Sequence, residues 1–417
     1  MAFNLKRVQD QYPSDWDITT FRDITKGTQL GTPSRGESPD DNIPLLKMGN
    51  LTWGGLNIQE CELLSRDSVE DTLYLEDGDF LFNTRNTPEL VGKSAVWHCE
   101  LANAVCDNNI NRIKFKNKAN QDFICSQLTF GPGKGRVRSL SAGSTSVAAI
   151  YWKDLAKLKV ALPPLPEQKK IARILSTWDK AIETVDKLIE NSQQQKKALM
   201  QQLLTGKKRL PGFSGEWKTT HLEEIANTYS GGTPSRSKPQ YYGGEIPWIK
   251  SGEVNSRYII STEEFITSEG LKNSSAKMVQ EDSILLALYG ATAGVIGISK
   301  INAAINQAIL CILPNDEIDT MFLYYYLEMY MEKAKRLVQG GQPNLNAGII
   351  RKIEVNLPRP DEQKAIARLI ICADHTTIKH TETRAVFDEA KKALMQQLLT
   401  GKRRVQVDDD RSLAHAG

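Results

Sequence analysis

The chain has 417 residues, of which 40% are hydrophobic and 25% are charged, and its formal net charge at pH 7 is +3. This length is enough for two to four domains, and the proportions of hydrophobic and charged residues are those of an ordinary globular protein. The small net charge does not by itself indicate a nucleic-acid partner, so any basic surface must be local. No apolar run approaches the roughly 18 residues needed to cross a bilayer, and the start lacks a signal-peptide core. We therefore predict a cytoplasmic protein.

The residue types that usually carry catalysis or bind metals form no recognisable pattern. The six cysteines are dispersed without a Cys-x-x-Cys pair, and the five histidines have no metal-ligand spacing. The sequence also lacks the phosphate-loop, nucleophile-elbow and zinc-helix motifs. Residues 131–135 are rich in glycine, but they lack the Lys-Ser/Thr pair that ends a phosphate loop, and we interpret them as a turn. We expect no metal and no cofactor on this chain.

The most specific feature of the sequence is an internal duplication. Residues 196–207 recur without a mismatch as residues 391–402, a shift of 195 residues. The Glu-Gln-Lys block that begins at Glu167 recurs at the same shift from Glu362. Self-similarity at a fixed shift is typical of a repeated architecture. The order along the chain is therefore module, helix, module, helix.

Each repeat ends in a segment with the pattern of a long helix. From Glu167, apolar residues recur at steps of three and four as far as Ile189, which gives one apolar stripe. Leu199 and Leu203 resume this stripe before Gly206 ends the helix. The segment from Glu362 has the same stripe at its ends but a polar middle that includes Thr377 and His380. Because an apolar stripe is unstable in water, we predict that the helices pack as an antiparallel coiled coil. The alternative is that each helix docks separately on its own module.

The segments before the helices predict two mixed α/β modules. Short apolar strands such as residues 79–82 and 283–288 alternate with Gly, Asn and Pro turns, and residues 323–337 have the pattern of a buried helix. The predicted fold class is α+β with a pseudo-two-fold internal duplication. The predicted domains are module 1 (1–160), helical spacer 1 (161–210), module 2 (211–357), helical spacer 2 (358–404) and a disordered tail (405–417).

Hydrogen-bond donors collect in the predicted loops of both modules. The turn Gly-Thr-Pro-Ser-Arg occurs at residues 31–35 and again at residues 232–236. Its residue types, together with Lys, Asn and Gln, are those that contact phosphates and base edges in DNA. The candidate DNA-binding residues are Thr32, Ser34, Arg35, Lys47, Asn50, Arg85, Asn86, Lys93, Thr233, Ser235, Arg236, Lys250, Gln342 and Asn344. The alternative is that the turn is architectural. The basic clusters 207–209 and 402–404 either complement the helix dipole or contact phosphates.

Three motifs recur at matching places in the two repeats. They are the block Leu-Pro-x-x-x-Glu-Gln-x-x-Ile-Ala-Arg at Leu162 and Leu357, the Gly-Thr-Pro-Ser turn, which a second glycine precedes in the second repeat only, and the helix ends Leu-Leu-Thr-Gly-Lys. With these motifs the chain resembles, over nearly its whole length, the specificity subunit of type I restriction-modification systems. The resemblance implies that each module is a target-recognition domain for one half of a bipartite, asymmetric DNA sequence. It also implies that the helices set the gap between the halves.

The same resemblance implies a set of partner subunits. Two modification subunits, which bind S-adenosylmethionine and methylate adenine, would dock on this chain. Restriction subunits that use ATP and Mg for translocation and cleavage would join them. The chain itself would be a non-catalytic targeting subunit.

Two other functional classes remain as alternatives at this stage. A self-sufficient DNA methyltransferase should show a cofactor-binding glycine loop and an Asn/Asp-Pro-Pro-aromatic motif, and the sequence contains neither. A coiled-coil scaffold that only joins proteins would leave two elaborate modules unexplained.

Overall fold

The computed structural model of the protein describes residues 12–36, 42–143, 146–337 and 345–407. The chain divides into two compact units: unit 1 comprises residues 1–184 and 383–417, and unit 2 comprises residues 185–382. Each unit therefore holds one module together with a part of both long helices. Within the described ranges, no helix is long and apolar enough to cross a membrane.

The first half of the chain contains short strands followed by one long helix. Its strands are β1 (Asp17–Thr20), β2 (Thr25–Leu30), β3 (Ile43–Leu46), β4 (Glu62–Leu64), β5 (Phe80–Asn83), β6 (Arg85–Asn86), β7 (Ser94–Val96), β8 (Val105–Cys106), β9 (Ile110–Phe115), β10 (Ala142–Gly143), β11 (Ala148–Ala149) and β12 (Lys159–Leu162). Its α-helices are α1 (Phe21–Ile24), α2 (Gln121–Thr129), α3 (Gly131–Arg138), α4 (Trp152–Leu155) and α5 (Leu165–Leu203).

The second half of the chain likewise contains short strands followed by one long helix. Its strands are β13 (Lys218–His221), β14 (Ala226–Ser230), β15 (Tyr242–Ile249), β16 (Tyr258–Ile259), β17 (Phe265–Ile266), β18 (Lys277–Val279), β19 (Ile284–Ala287), β20 (Ile296–Ser299), β21 (Ala303–Ile305), β22 (Ile309–Pro314) and β23 (Glu354–Leu357). Its α-helices are α6 (Leu222–Ile225), α7 (Ser268–Lys272), α8 (Thr320–Leu337), α9 (Ala347–Arg351) and α10 (Pro360–Leu398).

The two modules share the strand order of their two main sheets, and each of these sheets has one more strand in module 2. In unit 1 the sheets have the orders β2-β9-β5-β7 and β4-β3-β8, and in unit 2 the matching orders are β14-β22-β19-β20-β16 and β17-β15-β21-β18. A third sheet, β10-β11-β6, belongs to unit 1. Each module is closed by an antiparallel strand pair, with Asp17 opposite Leu162 in one and Lys218 opposite Leu357 in the other. The predicted duplication and the α+β fold class are confirmed.

One local prediction is wrong. Residues 131–135, which we interpreted as a turn, begin α3. Pro132 suits the first turn of a helix, where its missing N–H costs nothing. A Cβ on Gly133 would lie 1.7 Å from the backbone oxygen of Gln127, so glycine is required where α3 lies against α2. The strands predicted at residues 79–82 and 283–288, by contrast, correspond to β5 and β19.

The two long helices are equal in length and pair within each unit. Both have 39 residues. In unit 1 the rings of Trp178 and Phe387 pack edge-on, with centroids 5.6 Å apart. In unit 2 Oγ of Ser192 lies 3.1 Å from Nδ1 of His380, so a polar residue of α10 meets a polar residue of α5. The sequence runs in opposite directions in the paired segments, which confirms the antiparallel coiled coil.

An ion pair between the helices is repeated at the 195-residue shift. In unit 1 Lys391 pairs with Asp179. In unit 2 Nζ of Lys196 lies 2.9 Å from Oδ1 of Asp374. Asp374 is buried and also pairs with Arg257 of module 2. The polar middle of α10 thus holds a carboxylate that two cations neutralise, which offsets the cost of burying its charge.

Both helices also complete the core of each module. In unit 1 Ile171 and Leu175 of α5 lie in the same buried cluster as Leu398 of α10 and the strands of module 1. In unit 2 Leu203 of α5 and Ile366 of α10 share the cluster of module 2. The alternative of two helices docked separately is therefore wrong, because each module packs against segments of both.

The recurring glutamine attaches each long helix to its module through backbone groups. The side-chain oxygen of Gln168 accepts from the N–H of Asn120 at 2.8 Å, and its nitrogen donates to the carbonyl of Lys118 at 3.0 Å. The side chain of Gln363 likewise accepts from the N–H of Asp319 at 2.9 Å. Because these partners are backbone atoms, these hydrogen bonds do not depend on the side chains of the module.

The recurring glutamate next to it forms a two-point ion pair with the last arginine of a basic cluster. In unit 1 Arg404 donates to Glu167 at 2.7 and 2.6 Å, and in unit 2 Arg209 donates to Glu362 at 2.6 and 2.6 Å. Both glutamates are buried. One member of each basic cluster is therefore structural. In the predicted tail, residues 408–417 lie outside the described residues, and the domain boundaries stay a prediction.

We expect the substitution Arg209→Met to lower the urea midpoint of unit 2, because it leaves the buried carboxylate of Glu362 without its cation. The control is Lys208→Met, which removes the same charge from an exposed neighbouring side chain and should cost less than about 0.5 kcal/mol. Urea unfolding of the full chain measures both. Equal shifts of the two midpoints would show that the ion pair contributes nothing specific.

Candidate nucleic-acid interface

The candidate loop of each module begins at a glycine that touches the backbone of a neighbouring strand. A Cβ on Gly31 would lie 1.9 Å from the backbone oxygen of Cys106, and a Cβ on Gly231 would lie 1.9 Å from that of Ile305. Only glycine permits this approach. These contacts make Gly231, rather than Gly232, the structural counterpart of Gly31. The second loop therefore carries one more residue before its Thr-Pro-Ser-Arg segment.

In module 1 the Thr-Pro-Ser-Arg segment is held mainly by its own hydrogen bonds. The buried Thr32 accepts from the N–H of Ser34 at 3.1 Å, and the hydroxyl of Ser34 donates to the carbonyl of Ser68 at 3.3 Å. Arg35 donates to two carbonyls of its own loop at 3.1 and 2.7 Å and lies 3.9 Å from the carboxylate of Asp107. The side chain of Arg35 is 42% exposed, so it remains accessible to a ligand.

Lys47 and Asn50 form the next turn of module 1. The side-chain oxygen of Asn50 accepts from the N–H of Lys47 at 2.8 Å, and its nitrogen donates to the carbonyls of Asn57 and Glu60 at 2.9 Å each. Asn50 therefore stabilises the turn that presents Lys47. The ammonium group of Lys47 pairs with Glu62.

The remaining candidates of module 1 follow β5. Arg85 is exposed at the start of β6 and lines a groove together with Leu30, which precedes the first loop. The side chain of Asn86 donates to that of Asn83 at 3.1 Å. Lys93 is half-buried just before β7. Arg85 is thus the candidate of this group that lies beside the strand leading into the loop.

In module 2 the loop hydroxyls bond to neighbouring polar side chains. Thr233 donates to Gln307 at 2.5 Å, and the hydroxyls of Ser235 and Ser237 lie 2.8 Å apart. The candidates Gln342 and Asn344 lie outside the described residues.

Arg236 is held from two sides. Its NH2 group donates to Oε2 of Glu264 at 2.8 Å, and its guanidinium carbon lies 4.4 Å from the ring centroid of Tyr242 and 5.4 Å from that of Trp248. Nζ of Lys250 lies 3.6 Å from the other oxygen of Glu264. The structure therefore brings the two candidate cations of module 2 together around one carboxylate.

The sequence analysis missed this carboxylate, which has a counterpart in module 1. Glu62 lies opposite Leu45 in the β3–β4 pair, and the backbone oxygen of Glu264 accepts from the N–H of Trp248, the matching residue of β15, at 2.9 Å. No local motif marks either glutamate, because each is brought to the loop by pairing of strands that are separate in sequence.

Both glutamates are ionised at neutral pH. The Lys47 ammonium and the N–H of Gly36 hold the pKa of Glu62 below its usual range. The Arg236 guanidinium, with a smaller contribution from Lys250, lowers the pKa of Glu264. Each module therefore presents cations beside a fixed negative charge.

Among the described residues, no group of three or more His, Cys, Asp or Glu side chains is placed to hold a metal ion. Burial raises the pKa of the thiols of Cys106 and Cys125 to about 12, so neither is a thiolate at neutral pH.

The sequence model of the type I restriction modification DNA specificity domain matches residues 13–191 and 214–385. The chain belongs to this family. The two matched segments each cover one module and the following part of a long helix, so the family match repeats with the duplication seen in the fold.

Known specificity proteins resemble the chain over most of its length. The type I restriction enzyme MjaVIII specificity subunit of Methanocaldococcus jannaschii is 29% identical over 424 residues, which cover 94% of each chain. The crystal structure of a type I restriction-modification S subunit from M. genitalium has a TM-score of 0.59 at 16% identity and covers 95% of this chain and 98% of its own. A chain from a study of complex assembly and conformational transition of the type I system has the same TM-score and identity, and covers 94% of this chain and 99% of its own.

Proposed function

We propose that this chain is the DNA-binding specificity subunit of a type I restriction-modification complex, in which each module reads one half of a bipartite, asymmetric target. The observation that carries the proposal is the repeated placement of candidate cations. Lys47 and Lys250 follow matching strands, and Arg35 and Arg236 lie in the loops that begin at matching glycines. Arg and Lys in exposed loops supply both phosphate contacts and base contacts.

The proposal includes a role for the long helices and for partner subunits. The paired helices would set the number of unread base pairs between the two halves. Two modification subunits that bind S-adenosylmethionine and methylate adenine would dock on the chain, and restriction subunits that use ATP and Mg would complete the assembly in the cytoplasm. The full-length resemblance to a type I specificity subunit supports this part. The chain itself would be a targeting subunit without catalysis.

We expect the purified chain to transfer no methyl group to DNA and to cut no DNA. Adding modification subunits of a type I restriction-modification system that assemble with the chain should give methylation of a subset of sequences in a random double-stranded library. The measurement is transfer of labelled methyl groups from S-adenosylmethionine, run in parallel with a gel-shift assay. Methylation by the chain alone would favour the self-sufficient methyltransferase. A complex that forms but has no sequence preference for DNA would favour the scaffold.

A further inference from the structure

The strongest unassigned feature is a carboxylate beside a candidate cation in each module: Glu264 contacts Arg236 and Lys250, and Glu62 contacts Lys47. We propose that Glu264 in module 2, and Glu62 in module 1, are positioning residues that make the neighbouring cation a reader of base edges rather than a phosphate contact. This inference rests on the proposed function, because it assumes that the modules read DNA. It assigns to two acidic residues a part in sequence selection by a DNA-binding protein.

Neighbouring side chains hold the guanidinium of Arg236 in one orientation. Glu264 holds its NH2 group at 2.8 Å, and the ring of Tyr242 supports the guanidinium at 4.4 Å. The side chain is nevertheless 56% exposed, so its remaining N–H groups are accessible. Arg recognises guanine through a planar pair of N–H groups, and this geometry is demanding. A guanidinium that is already oriented loses less conformational freedom when it makes such a contact.

The negative charge of Glu264 also affects how Arg236 and Lys250 interact with DNA. Glu264 adds a negative charge 2.8 Å from Arg236 and 3.6 Å from Lys250, which reduces the attraction of both cations for any DNA backbone. Phosphate contacts contribute equally to binding of every sequence, whereas base contacts do not. A carboxylate at this position therefore lowers non-specific binding more than specific binding, and it raises the ratio between them.

Module 1 has the same pairing of a glutamate with a candidate cation, but the cation is a lysine. Glu62 pairs with the ammonium of Lys47 and accepts from the N–H of Gly36 at 2.9 Å, whereas Arg35 bonds to its own loop. Lysine also recognises guanine in the major groove. We therefore assign Lys47 as the oriented cation of module 1, and Arg236 as that of module 2.

The test compares Glu264→Gln with the matched control Glu263→Gln. Both variants remove one negative charge, and Glu263 is the adjacent residue, 84% exposed and 3.7 Å from Lys250. Each full-length variant is assembled with its modification subunits and used to select from a double-stranded DNA library with a randomised core. The readouts are the base preference at each position and the salt dependence of binding to non-target DNA.

We expect Glu264→Gln to weaken discrimination at one position of one half-site by about tenfold, the size of one base contact, and to leave the other half-site unchanged. Its affinity for non-target DNA should rise, and the dependence on salt should steepen. Arg236→Ala should lose discrimination at the same position. Glu263→Gln should keep the wild-type base preferences, and Glu62→Gln should affect only the opposite half-site.

Identical base preferences for Glu264→Gln and Glu263→Gln, in a wild-type complex that does select a sequence, would overturn this inference and leave the proposed function intact. Failure of the wild-type complex to select any sequence would overturn the proposed function itself, and this inference with it. Thermal unfolding of each variant verifies that the substituted chains are folded.

Discussion

Exchanging module 1 for the module of another member of the family should replace the bases read in one half-site and leave the other half-site unchanged. The candidate contacts of module 1, such as Arg35 and Lys47, all lie in unit 1, whereas Arg236 and Lys250 lie in unit 2. Base contacts determine sequence, so each half-site should follow the module that supplies them.

The structure indicates where the boundary of the exchanged module should lie. A boundary at residue 160 would divide β12, whose Leu162 pairs with Asp17 of β1. The exchange should therefore include residues 1–162, which keeps both strands of the closing pair from one donor. The hydrogen bonds of Gln168 to the backbone of Asn120 and Lys118 should form with a foreign module as well. The apolar contacts of Ile171 and Leu175 with the module core require a donor module from the same family.

The measurement is mapping of the methylated sequence for the wild-type chain, for the module 1 exchange and for the reciprocal exchange of module 2. The reciprocal exchange is the matched control, because it should change only the other half. A change in both halves after either exchange would contradict independent reading by the two modules.

Lengthening both helices by seven residues should increase the unread gap and preserve the bases read in each half. Duplicating residues 185–191 and 380–386 adds one heptad at positions that match in the two repeats, so the apolar phase of each helix is preserved. The added length is ~10 Å at about 1.5 Å per residue. This corresponds to roughly three base pairs at about 3.4 Å of axis each.

A DNA library with many gap lengths is required for this test, because lengthening the helices also rotates the recognition surfaces about the duplex. The control duplicates residues 185–191 alone, which shifts one helix against ion pairs such as Lys196–Asp374. That variant should lose binding at all gaps. An unchanged preferred gap in the double insertion would show that the modules, not the helices, determine the spacing.

The sequence predicted the long helices well because their signal is both periodic and repeated. The recurring block that begins at Lys196 and Lys391 fixed the register of the duplication, and these two lysines form the repeated ion pairs with Asp374 and Asp179. The pairing of the two helices followed from their apolar stripes. The sequence did not explain the polar middle of α10. Asp374 in this segment pairs with Arg257 of module 2, and the two residues are far apart in the sequence.

The candidate site was predictable only in part. The Gly-Thr-Pro-Ser-Arg turn identified the loops, yet it did not distinguish Arg236, which Glu264 holds, from Arg35, which bonds to its own loop. The strand pairing that brings a distant carboxylate to each loop leaves no local motif in the sequence. The sequence also left open whether Arg209 is structural or contacts phosphates. Its partner, the buried Glu362, is distant in the sequence and is not indicated by the basic cluster itself.

The most direct test of the central claim is to map methylated adenines in DNA from cells that express this chain with its modification subunits. Two modules that each read one half-site predict one asymmetric motif, made of two specified segments separated by a gap of constant length, with methylation lost when the chain is deleted. A contiguous or palindromic motif, or methylation that persists without the chain, would contradict the account.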